Sequence, residues 1–215
     1  MKRLFLLFLL LCVFSNICYA QLKFEFFGGV PLAWDRGKIF GYDANAQTTS
    51  LSFGLGIKTP INNRVEFGSY NEFFFPQKLT ISINGEKTSV ERKDYDTLLG
   101  MSVLLGPVFY LHSDLEGKFK IPLITGIRWM WLAASTEYAM VFGNNFGLQA
   151  GIGTEFKVSE NIFIFGRLMT NYDFYSFSMI TVSGFYTTNT ETISGFINSF
   201  GLTPHIGMGL SINRK

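Results

Sequence analysis

The sequence predicts an all-β protein, an eight-stranded antiparallel up-and-down transmembrane β-barrel. Three observations carry that expectation. Apolar residues recur at every second position, the period of a strand and not of a helix. The segments patterned this way number eight, and their connections alternate between short and long. The composition is also poor in charge for a chain in water. Only 16% of the 215 residues are charged, against about 25% in an ordinary soluble domain, while 47% are apolar and 17% aromatic. Beyond the first 20 residues no uninterrupted apolar run reaches the roughly 18 residues of a membrane helix. The longest candidate, 97–111, is broken by Gly100, Gly106 and Pro107.

The chain opens on a segment that does not belong to the barrel. Lys2 and Arg3 precede the apolar run 4–14, and Cys18-Tyr19-Ala20 places small residues three and one positions before Gln21. That is the pattern of a secretory signal. Residues 1–20 are therefore expected to be removed, leaving 21–215 as one barrel domain. Both cysteines, Cys12 and Cys18, lie in the signal, so the exported chain has no disulfide, thiolate nucleophile or cysteine metal ligand. Of the 18 Lys and Arg residues two lie in the signal, so 16 remain against 16 Asp and Glu. A chain with no net charge has no global field to attract nucleic acid.

The strands are expected near 22–30, 49–59, 65–75, 94–111, 118–132, 145–158, 162–175 and 199–213. The alternation is clearest in 146–158, where Phe146, Leu148, Ala150, Ile152, Phe156 and Val158 share a face with Thr154 as the one exception. Gly147, Gln149, Gly151, Gly153, Glu155 and Lys157 share the other. Leu51, Phe53, Leu55 and Ile57 repeat the pattern, as do Ile206, Met208, Leu210 and Ile212. Connections 60–64, 112–117 and 159–161 are short. Those at 31–48, 76–93, 133–144 and 176–199 are long. Within the second long connection, Asn84-Gly85 is a hairpin signal that predicts strands continuing beyond the membrane.

Lipid offers backbone no hydrogen-bond partners, so a sheet within it must close on itself. Its apolar face then points outward, and eight strands leave an interior that side chains just fill. The charges expected to face that lumen include Glu25, Glu66, Lys120, Arg128, Glu155, Arg167 and His205. Near-balance of sign predicts pairing among them. Glu155 and Arg167 on neighbouring strands are expected to pair at low depth, with Arg128 higher. Phe73, Phe75, Tyr95, Trp129, Trp131, Tyr172 and Phe174 are expected to form an aromatic girdle at the outer interface.

Together the signal, the strand count, the loop alternation and the dyad pattern resemble the small eight-stranded outer-membrane barrels, the superfamily that includes the OmpA transmembrane domain, OmpX and OmpW. The resemblance spans all of 21–215. It implies a bacterial outer-membrane location, contact with the lipid bilayer and passage through the outer-membrane assembly machinery. A structural or adhesin-like role is expected, in which the long loops meet a host or surface ligand. The alternative, implied by OmpW, is a channel for small hydrophobic compounds.

Chemistry is thin by comparison. His112 is expected in a short turn and His205 on the inward face of the last strand, without a second histidine to complete a metal site. No serine, histidine and carboxylate are grouped at one interface. The sequence thus predicts no enzyme activity and no cofactor. The Gly54-Leu55-Gly56, Gly151-Ile152-Gly153 and Gly207-Met208-Gly209 repeats precede no helix, so they read as packing positions and not as a phosphate loop.

Overall fold

The computed structural model describes residues 22–39, 42–114, 117–135, 139–183, 188–193 and 198–212. The expected signal, 1–20, lies outside them. The strands are β1 (Leu22–Gly29), β2 (Leu32–Ile39), β3 (Tyr42–Asn62), β4 (Val65–Ile83), β5 (Glu86–Glu91), β6 (Thr97–Ser113), β7 (Phe119–Ser135), β8 (Ala139–Lys157), β9 (Ile162–Ser183), β10 (Thr188–Ile193) and β11 (Asn198–Ile212). One short 3₁₀ turn, Arg92–Asp94, follows β5. Among the described residues no helix is long and apolar enough to cross a membrane.

Nine of these segments make a closed eight-stranded ring. β1 and β2 are one strand interrupted at Val30 and Pro31, since both pair with β3 on one side and β11 on the other. From there the ring runs antiparallel through β4, β6, β7, β8 and β9, and β9 pairs β11 to complete it. Closure leaves no free edge inside the membrane. β5 and β10 stand outside the ring as hairpin partners of β4 and β9.

Strands are longer than the hydropathy pattern predicts. A crossing needs about 9–11 tilted residues, whereas β3 has 21 and β9 has 22. Most of the predicted long connections are thus strand. The β4–β5 hairpin turns at Asn84 and Gly85, whose φ values of 50° and 90° are those a tight primed turn demands. The tight end of the barrel is capped locally. Asn62 Oδ1, for example, accepts hydrogen bonds from the backbone N–H of Arg64 and Val65 at 2.8 and 2.9 Å.

Alternation decides which face goes where. Leu51, Phe53, Leu55, Ile57, Phe146, Leu148, Ile152, Ile206, Met208 and Leu210 are exposed on the outer wall, while Lys58, Glu155 and Gly209 between them are buried. Inward glycines leave room for large rings. A Cβ on Gly209 would sit 2.0 Å from the Phe163 ring, and one on Gly54 would sit 2.2 Å from Phe27.

Candidate functional site in the barrel lumen

The interior begins, near the tight turns, with an ion network. Lys58 Nζ lies 2.6 Å from Glu25 Oε1 and 2.6 Å from Glu155 Oε1, with Glu66 Oε2 at 3.5 Å. Arg167 reaches Glu25 at 2.6 Å and Glu155 at 3.2 Å. Lys23 pairs with Glu66. Three cations thus face three carboxylates, drawn from β1, β3, β4, β8 and β9. Side-chain exposure is 0% for both Lys58 and Glu25. The Tyr110 hydroxyl donates to Glu66 Oε2 at 2.7 Å, and it lies 3.2 Å from Glu155 Oε2. Charges this dry are tolerated only when paired and hydrogen-bonded.

Above and around this network the lumen is apolar. Phe27, Tyr70, Leu104, Val108, Tyr110, Ile124, Phe163, Phe165 and Met169 form one buried cluster. The Arg167 guanidinium stacks on Phe165 with 3.8 Å to the ring centroid. Nearer the outer mouth polarity returns. Arg128 Nη1 donates to Asp173 Oδ2 at 2.6 Å, and Asn171 Nδ2 donates to the same oxygen at 3.3 Å. His205 Nε2 stands 2.9 Å from Glu72 Oε1, and its imidazole packs 4.7 Å from the Phe27 ring. A small cavity of about 90 Å³ at this end is lined by Asp35, Arg128, Asp173 and Ser199 among others. A cavity of about 20 Å³ lies among Tyr70, Leu104, Ile124 and Arg167.

Each expected lumen charge can be located. Glu25, Glu66, Glu155 and Arg167 meet in the lower network, Arg128 lies higher with Asp173, and His205 sits beside Glu72. Lys120 stands apart from these, half-buried at the turn-end mouth with its ammonium 4.9 Å from the Tyr110 ring centroid. His112 falls within the last residues of β6, exposed, and not in the turn itself. Among the described residues no group of three His, Cys, Asp or Glu side chains is disposed to hold a metal ion.

The aromatic residues differ in one member. Phe53 stacks with Phe73 at 5.4 Å and with Phe75 at 5.7 Å, and Phe146 meets Phe174 edge-on at 5.7 Å. Trp131 lies 6.4 Å from Phe142. The Trp129 indole donates to Asn144 Oδ1 at 3.3 Å, and the Tyr172 hydroxyl donates to Asn198 Oδ1 at 2.6 Å. Tyr95 does not share this level. Met101 pairs with both Phe73 and Trp131, and Tyr95 precedes it by six residues, in the connection after the 3₁₀ turn. At about 3.3 Å per residue it stands roughly 20 Å further along the strand direction.

Sequence reasoning missed the apolar half of the lumen and the part played by Tyr110. A signal was present: Phe163 and Phe165 share strand parity with Arg167, so one inward charge on β9 carries them inward too.

Comparison with solved structures places this architecture. The fold is that of small outer-membrane β-barrels. It is similar to the outer membrane protein OprG from Pseudomonas aeruginosa, with a TM-score of 0.60 and 11% identity, covering 91% of this chain and 97% of that one. It is also similar to outer membrane protein AlkL, with a TM-score of 0.56, 9% identity and 90% of each chain covered. Neisserial surface protein A follows at 0.55, with 12% identity, 89% of this chain and 97% of that one. No family model matches the chain, and no curated protein matches its sequence. What is shared with these proteins is the architecture of an integral outer-membrane barrel.

Proposed function

We propose that the protein is exported through removal of residues 1–20, is inserted by the outer-membrane assembly machinery, and serves in the bacterial outer membrane as a non-catalytic barrel. Its work is done at the outer surface, where the extended strands meet a host or surface ligand. The observation that carries this reading is the filled lumen. Lys58, Glu25, Val108 and Ile124 are at or below 1% exposed and occupy its cross-section, so the interior is a plug. The strands that outrun the bilayer, β3, β4, β8 and β9 with hairpin partners β5 and β10, are then the part left to act. The test is conductance. Purified barrel in planar bilayers should show little steady current, and large stable single-channel currents would overturn the reading in favour of transport.

A second reading, a channel for small hydrophobic compounds, has one observation in its favour. The outer wall has an apolar depression of about 830 Å³, lined by Phe26, Gly28, Ile164, Gly166, Ile206 and Met208 among others. Lumen residues Phe27, Phe165 and His205 also line it. Uptake of an apolar dye into barrel-containing liposomes, above protein-free controls, would favour this alternative.

A further inference from the structure

The lower ion network balances its own charge, three cations against three carboxylates. Just outside it, at the tight-turn end, a cavity of about 210 Å³ opens between the β6–β7 and β8–β9 connections. Its walls carry Lys118, Lys120 and Lys157 beyond the network, with Glu160 as the carboxylate beside them. Glu155 also lines it, but Lys58 and Arg167 already hold that side chain. No described carboxylate lies within 4.0 Å of the Lys120 or Lys157 ammonium. The Lys120 ammonium is half-buried over the electron-rich Tyr110 face, 4.9 Å from its centroid. That face orients a cation without neutralising it.

We propose that this mouth is a binding site for a phosphate-type oxyanion, held directly by Lys120 and Lys157. Lysine is a point-charge phosphate ligand. A cavity of about 210 Å³ has room for a tetrahedral oxyanion with several waters, each of which takes about 30 Å³. Asn161 and Ser211, also in the wall, bring polar side chains to the same space. A free phosphate and a lipid headgroup phosphate present the same chemistry here, because the turns lie beside the apolar outer wall formed by Phe156 and Ile162.

The test uses the whole barrel in dodecyl maltoside micelles, which contain no phosphate. Inorganic pyrophosphate and short-chain phosphatidylglycerol are titrated separately by calorimetry. Folding is checked by heat-modifiable electrophoretic mobility. The Lys120→Gln/Lys157→Gln variant should bind about tenfold more weakly, or worse. Lys93→Gln, in the exposed Lys93–Glu91 pair beyond β5, should bind as the parent does. Should the double variant fail to fold, Lys157→Gln alone, at an exposed position, should still weaken binding about threefold. Binding of pyrophosphate identifies a soluble source, and binding of phosphatidylglycerol alone identifies a lipid source. Absence of both, or equal affinity in parent and folded variant, overturns the proposal.

Discussion

Substituting Lys58 by methionine should be among the most damaging single changes available to this barrel. Its ammonium lies 2.6 Å from both Glu25 and Glu155. At an effective dielectric of about 20, each such contact corresponds to roughly 6 kcal/mol of Coulomb attraction, largely offset by desolvation. Lys58→Met leaves two cations, Lys23 and Arg167, to hold three carboxylates. Breaking a buried pair from one side costs about 3–5 kcal/mol. Glu25→Gln on its own leaves an excess cation in the same dry space. Combining the two restores balance, two against two, and the methionine stem still fills part of the Lys58 volume. The double variant should therefore lose less than the sum of the singles, by about 1–3 kcal/mol. Urea unfolding of the barrel in lipid vesicles, read by tryptophan fluorescence and by heat-modifiable mobility, measures all four corners. Additivity within about 0.5 kcal/mol, or a single-variant cost below about 1 kcal/mol, would refute the network as a coupled dry unit.

Two further outcomes test the assignment of faces. Ile152→Arg and Leu168→Arg place charge on positions 49% and 48% exposed on the outer wall, a cross-strand pair midway between the level of Tyr172 and the turn-end Ile162; each should cost about 2–4 kcal/mol near the bilayer midplane and impair insertion into vesicles. Ser211→Ala, on the buried face, should insert normally, and equal insertion of all three variants would reverse the faces. Gly209→Val should lower stability by about 1–3 kcal/mol through overpacking, because its Cβ would sit 2.0 Å from the Phe163 ring. Phe163→Leu in the same chain should recover part of that loss in the unfolding assay.

The sequence alone determined the barrel. A period of two, eight apolar-faced segments and a shortage of charge leave a closed sheet as the structure that satisfies backbone hydrogen bonds in lipid. The outward faces of β3, β8 and β11 were legible for the same reason, since each alternates apolar with small or polar residues. The strand ends were legible at Asn84-Gly85, whose hairpin signal predicted the extension of β4 into β5, and not elsewhere. Hydropathy alternation stops where lipid stops, but the hydrogen-bond ladder needs no lipid and continues through 42–49 and 177–183. Tyr95 was misplaced by the same error, because the connection beyond the membrane contains a hairpin and a turn. Tertiary structure alone decided how the lumen closes. Lys23, Lys58 and Arg167 come from three strands, and Lys58 is 109 residues from Arg167 in sequence but shares Glu25 and Glu155 with it. Parity could show that such side chains point inward. Their depth, and hence their partners, depends on strand tilt and stagger, which are properties of the closed ring and not of any one strand.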